Sequence, residues 1–175
     1  MPYAVTHILL TIIAVDLYRD YAAKHRKYFT LNTVFIAGLA GLLPDADIPL
    51  TWFLNLILPG SVPLILTHGG ITHTLFFGLI FLAPALYFWK NKKHKFAMYF
   101  FVTSFGVFLH IFLDYLLGGG MHGGIMFFWP LSTAGFKIHL LNNLGLNDVP
   151  QALDALILLA WLYHEEVKHK IKDFF

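Results

Sequence analysis

Unbroken apolar runs dominate the chain, and they predict five helices: Pro2 to Tyr18, Leu31 to Leu50, Ile71 to Trp89, Phe96 to Leu117 and Val149 to Tyr163. Each is near the roughly 17 to 25 residues that cross a bilayer, the first and last being short. The start, Met1-Pro2-Tyr3, carries no basic segment, and no small-residue cleavage site follows the first run, so that run is expected to be a true helix rather than a signal peptide. A sixth apolar stretch, Pro49 to Thr67, is interrupted by Pro59, Gly60 and Pro63. Those breaks would strip hydrogen bonds from a lipid-facing helix, so this stretch is expected to form a re-entrant or interfacial hairpin.

The basic residues discriminate between five spans and six. Arg19, Lys24, Arg26 and Lys27 follow the first span, Lys90, Lys92, Lys93 and Lys95 the third, and Lys168, Lys170 and Lys172 the fifth. Five spans put all three clusters on one side and leave only Lys137 opposite, whereas a sixth would turn the middle cluster outward. By the positive-inside tendency the clusters are cytoplasmic, the N-terminus outside and the C-terminus inside. The expected fold class is therefore all-α: one polytopic membrane domain over residues 1–175, with outer excursions at Pro49 to Gly70 and Gly118 to Pro150. Ala37, Gly38 and Gly41 on the second span, and Gly106 on the fourth, would let helices approach closely.

Composition agrees with a bilayer as solvent. Of 175 residues 58% are hydrophobic and 13% charged, against about 25% charged in ordinary soluble domains. The 18 Phe, 8 Tyr and 4 Trp exceed what so short a chain could hide from water. With no Cys there is no disulfide framework and no thiolate site, so any metal must be held by His, Asp or Glu. A net charge of +2 gives no argument for nucleic acid as a partner.

Against this background the ionisable residues within the runs stand out, because such groups at membrane depth are costly and usually face a cavity or a partner. Height is estimated from the basic inner ends at about 1.5 Å per helical residue. His7, Asp45, His73, His110 and Asp114 then lie roughly 18, 27, 26, 23 and 29 Å up, so five residues from four helices reach one outer layer. His110 and Asp114 are four apart and share a helix face. His68 and His73 flank a stretch beginning Gly69-Gly70, whose glycines permit a tight turn. Leu43-Pro44-Asp45-Ala46-Asp47-Ile48-Pro49 places two carboxylates on a segment that its prolines keep from being regular helix throughout.

Taken singly, each feature has a structural explanation: an intrahelical pair for His110 and Asp114, a helix stop for Pro-Asp-Ala-Asp, a hydrogen-bonded core residue for His7. Their common depth favours a centre of hard and borderline ligands suited to Zn, Mn or Mg, one ion or two. His25, His94, His164 and His169 belong to the basic loops and are expected to be solvated. Asp16 and Asp20 are expected to pair with Arg19 or Lys24, and Asp154 to cap the last span or face the cavity. The glycine-rich 118–124 segment, with His122, suits a lid, and Phe127-Phe128-Trp129-Pro130 suits the headgroup level.

In order and spacing, His7, the Gly41-Leu42-Leu43-Pro44-Asp45-Ala46-Asp47 segment, the His68-Gly69-Gly70-Ile71-Thr72-His73-Thr74 segment and His110-Ile111-Phe112-Leu113-Asp114 resemble the YdjM-like family of membrane-bound metal-dependent hydrolases, from His7 to about Ser132. Members often carry Arg where this chain has Gly69. The resemblance implies a small multi-span inner-membrane protein with a His/Asp metal centre. A more distant similarity of arrangement, to zinc-dependent phospholipase C, implies His7, Asp45, His73, His110, Asp114 and His122 as ligands and a phosphoester as substrate.

These readings together lead to a metal-dependent hydrolase at the outer leaflet, acting on a phospholipid or other lipid-linked phosphoester with Zn as first choice of ion. His7, Asp45, His73, His110 and Asp114 would be ligands, Asp47 a ligand or proton acceptor, and His68 a ligand or the acid that protonates the leaving group. The alternative is a metal or proton carrier using the same layer, against which stands the lack of polar residues in the inner half of the spans. An intramembrane metalloprotease is least favoured, since no His-Glu-x-x-His helix is present.

Overall fold

The computed structural model describes residues 4–23, 27–57, 63–118, 123–145 and 150–169. Among these the regular elements are helices: α1 (Ala4–Leu17), α2 (Leu31–Ala40), α3 (Asp47–Ile57), α4 (Leu75–Lys90), α5 (His94–Leu117), the single turn α6 (Leu140–Asn143) and α7 (Pro150–His169). Each predicted apolar run thus holds a helix. Among the described residues α5 is the one helix long and apolar enough to cross a bilayer, and α2 passes the same test only together with the 44–57 segment, across a 48° bend that makes the pair a broken span or a re-entrant loop. As α-helices the first and third runs fall short, with 14 residues in α1 and 16 in α4. Tyr18–Ala22 continues α1 as a π-helix, and Ile71–His73 forms a 3-10 turn before α4. Thr74 separates that turn from α4, its extended backbone and its hydroxyl capping the Phe77 N–H at 3.1 Å.

The second run, Leu31 to Leu50, is broken at the Pro-Asp-Ala-Asp segment, as its prolines predict. α2 ends at Ala40, a 3-10 turn takes Pro44–Ala46, and α3 runs to Ile57, beyond the predicted end. Pro44 begins that turn, and Pro49 lies in the first turn of α3, where a missing N–H leaves no intrahelical bond unmade. The stretch predicted as a hairpin is therefore helical in its first part, while residues 58–62 lie outside the described residues. The chain returns at Leu64–Leu66, where the Thr51 hydroxyl of α3 donates to the Leu66 carbonyl at 2.6 Å.

Packing runs α4 against α5, α5 against α2, α2 against α1, and α1 against α7. The predicted close approach is found: a Cβ at Gly106 of α5 would come within 2.8 Å of the Ala40 Cβ and 3.0 Å of the Ala37 carbonyl oxygen on α2. Large apolar side chains such as Phe35, Trp52, Leu56, Ile80 and Leu159 face outward. Meanwhile Thr, His, Asp and Arg side chains are buried at least as often as apolar ones among the described residues. That inversion suits a lipid surround, where apolar side chains gain little by turning inward and polar ones must find partners.

Two bands of buried polar residues result. At the end carrying the basic clusters, Arg19 is buried rather than part of a solvated loop, and it pairs with Asp16 at 2.9 Å and Asp20 at 3.2 Å. Lys168 reaches Asp20 at 3.4 Å, and His164 is hydrogen-bonded to Tyr21 rather than simply solvated. The half of the helices nearest the basic clusters, expected to lack polar residues, therefore holds buried ones. Asp16 and Asp20 are, however, paired with Arg19, and Lys168 ties α7 to that segment through Asp20.

Further along the same helices Asp154 settles as a partner of Thr6, whose hydroxyl lies 2.8 and 3.0 Å from its two oxygens. Thr6→Val is expected to strand that buried carboxylate and to lower stability by about 1–3 kcal/mol. Thermal melts of the detergent-solubilised protein check this, and an unchanged melting temperature refutes it.

Candidate metal centre

At the opposite end, four separate pieces of chain meet: the start of α1, the break between α2 and α3, the loop before α4, and the last turns of α5. Helical spacing puts His110 and Asp114 on one face of α5, 3.3 Å apart from Nε2 to Oδ2. The 68–74 loop delivers His73 with no exposed surface. It is held in shape by the Gly70 N–H bond to the Thr67 carbonyl (2.9 Å) and the His73 N–H bond to the Gly70 carbonyl (3.0 Å). Gly69 has φ +89°, the left-handed region that glycine enters freely, and its carbonyl receives the Met126 N–H at 3.3 Å.

Two imidazoles have their tautomers set by what lies behind them. His110 Nδ1 donates to the Gly41 carbonyl at 2.7 Å, and His73 Nδ1 faces Asp47 Oδ2 at 3.2 Å. Since carbonyl and carboxylate can only accept, Nδ1 carries a proton in both rings, and in the neutral form each ring keeps an Nε2 lone pair that faces inward. Those two nitrogens are 3.3 Å apart. Asp114 Oδ2 lies 3.2 Å from one and 3.3 Å from the other, yet it is buried with no hydrogen-bond partner.

Three electron-rich atoms facing one another in a dry interior are unstable unless something positive lies between them. A tetrahedral ion with bonds of about 2.0–2.1 Å has donor–donor edges of about 3.3–3.4 Å, which these separations match. Asp45 Oδ1 completes the set at 3.5 Å from His110 Nε2 and 3.8 Å from His73 Nε2. His73, His110, Asp114 and Asp45 can thus offer one ligand atom each to a single ion. The Asp45 side chain is 18% exposed while the other three are at most 3% exposed, so the set opens on its side.

Asp47, His68 and His73 form a second group close enough for an ion. His68 Nδ1 lies 3.2 Å from Asp47 Oδ1 and 3.6 Å from Asp45 Oδ1, so it touches both carboxylates of the Pro-Asp-Ala-Asp segment. His7 is placed differently from the convergent four. Its ring stacks on His110 at 3.8 Å between centroids, and its Nε2 meets the other Asp114 oxygen, Oδ1, at 3.3 Å. All seven residues predicted for the site are therefore drawn into one neighbourhood.

The sequence did not single out the Gly41 carbonyl or the Thr72 hydroxyl, which donates to Asp47 at 2.8 Å. Neither had a distinguishing signal, because one is backbone and the other a threonine between two histidines. His122 lies outside the described residues, as do 119–121 of the predicted lid. The chain beyond them is stitched down: Ile125 and Phe136 exchange backbone bonds at 2.9 and 3.0 Å, and Leu75 N–H reaches the Phe127 carbonyl at 3.0 Å. Phe127 packs into the apolar cluster of Val107, Ile111 and Ile125 beneath, while Phe128 is exposed.

No curated protein and no solved structure matches the chain, and the comparisons show no similarity to zinc-dependent phospholipase C. A family model described as YdjM inner membrane protein matches residues 1–168. That span takes in all four motifs and all of the predicted helices, and the chain belongs to the YdjM inner membrane protein family.

Proposed function

We propose that this protein is a membrane-embedded, metal-dependent hydrolase that cleaves a phosphoester of a lipid or lipid-linked substrate at the outer leaflet. The observation that carries the reading is Asp114 Oδ2, buried and without a hydrogen bond between two imidazole Nε2 atoms at 3.2 and 3.3 Å. His73, His110 and Asp114 would hold a divalent ion, Zn by ligand type and spacing, with Asp45 as fourth donor. When bound, such an ion supplies Lewis acidity and a water acidic enough to ionise near neutral pH.

The remaining residues do the positioning. Asp47 holds the His73 ring in the tautomer that turns Nε2 inward, and Thr72 holds Asp47 in turn. His68, in contact with both carboxylates and just reached by solvent, can carry a proton between the exposed Asp45 side and the substrate. The exposed apolar side chains of α3, Trp52, Phe53 and Leu56, offer a surface for the tail of a lipid substrate next to this opening. Membrane lipids are then partner and substrate pool alike, and the basic clusters support a site facing outside with the C-terminus in the cytoplasm.

The test pairs metal content with turnover. Wild type purified in detergent is expected to carry one or two equivalents of Zn or Mn and to release product from a fluorescent phospholipid or bis-p-nitrophenyl phosphate. His68→Gln and Asp47→Asn are expected to lower that rate roughly 10- to 100-fold while keeping most of the metal. Zn or Mn uptake into liposomes without product release would instead support the carrier and end the hydrolase reading.

A further inference from the structure

The end of the bundle away from the His/Asp centre holds two adjoining cavities. One, of about 330 Å³, is a slot between α1 and α5 walled by Ala14, Val15, Phe101, Val102 and Phe105. The other, of about 660 Å³, is a wider mouth whose lining includes Lys27, Tyr28, Trp89 and His94. Tyr18, Phe29 and Met98 line both, so slot and mouth share a wall.

Their chemistry differs sharply. Apart from the Tyr18 hydroxyl, no side chain lining the slot can hydrogen-bond or carry charge. The mouth has the Lys27 ammonium and the His94 imidazole and no acidic lining residue. Lys90, Lys92, Lys93 and Lys95 stand on the turn that joins α4 to α5 beside it. His94 is wedged between Trp89 and Tyr28, with ring centroids 4.7 and 5.5 Å away, which fixes its place at the rim. An occupant complementary to both cavities is anionic at one end and a hydrocarbon chain at the other.

We propose that this is a binding site for one anionic phospholipid of the inner leaflet, its phosphate at Lys27 and His94 and one acyl chain in the slot. Basic pockets between helices at the cytoplasmic surface suit such headgroups, and attraction to them grows with each cation near the surface. The proposal rests on membership of a membrane-protein family and not on the hydrolase reading, because none of its residues belongs to the metal centre.

Native mass spectrometry of the full-length protein, exchanged in detergent with equal phosphatidylglycerol and phosphatidylcholine, tests it. Wild type is expected to retain a single phosphatidylglycerol in preference to phosphatidylcholine, and Lys27→Ala to weaken that preference roughly fivefold. Ala14→Trp, which fills the slot, is expected to lose both lipids. Unchanged metal content in either variant shows that the centre is intact. Lys27 is exposed, so its replacement is readable even if Ala14→Trp fails to fold. Equal retention of the two lipids, a preference unaffected by Lys27→Ala, or saturation of the site by inorganic phosphate alone would each overturn the proposal.

Discussion

Asp114→Ala is expected to leave the purified protein with less than roughly a tenth of the wild-type metal and to destabilise it by about 3–5 kcal/mol, the range for removing one partner from a buried charged group. The size follows from its contacts: one oxygen faces His7 at 3.3 Å, the other His73 at 3.2 Å and His110 at 3.3 Å. Without the carboxylate the donor set loses the anion that offsets an ion's charge, and three buried imidazoles are left in a site open only on the Asp45 side. Asp114→Asn separates the two effects, since it keeps the shape and removes the charge. Elemental analysis with thermal melts, before and after reconstitution with Zn, Mn and Mg, gives the answer. Wild type and variants that all bind no metal would make the cluster a protonated-histidine network, and the hydrolase proposal would fall with it.

A second large effect is expected from the smallest possible addition, Gly70→Ala. The new Cβ would lie 2.8 Å from the Ile65 carbonyl carbon and the Thr67 oxygen, and closer still to the Ile65 oxygen. These are backbone atoms that no rotamer change can clear. Overpacking commonly costs about 1–3 kcal/mol and occasionally more. Because the displaced loop carries both His68 and His73, metal retention should fall along with the melting temperature. A variant that melts and binds metal like wild type would show that the loop can shift without disturbing the centre, contrary to the tight geometry described here.

How much of this was legible from residues alone depends on how local the cause is. Length and continuity of apolar runs mark each helix, since a helix in lipid satisfies its own backbone and needs no neighbour to declare itself. The break between α2 and α3 was legible because proline acts within its own turn. The common depth of His7, Asp45, His73, His110 and Asp114 came from counting residues along helices, which works where rise per residue is constant. Burial of Arg19 was not foreseen. A basic residue at the end of an apolar run reads as an interfacial anchor, and only the return of α7 alongside α1 brings Lys168 and His164 to the neighbouring Asp20 and Tyr21.

The roles within the centre lie further from the sequence. Seven ionisable residues in one layer could be sorted into ligands and supports in many ways, and periodicity ranks none above another. The sequence by itself determined a helical chain for a membrane and the layer in which its chemistry sits, because hydropathy and helical rise act over a few residues at a time. Only the tertiary structure decided that the Gly41 carbonyl and Asp47 hold two imidazole rings with Nε2 toward Asp114, that Asp45 stands on the open side, and that His7 stacks on His110. Those are contacts between groups distant in the chain, and their directions are fixed by close packing of four segments rather than by the identity of any one residue.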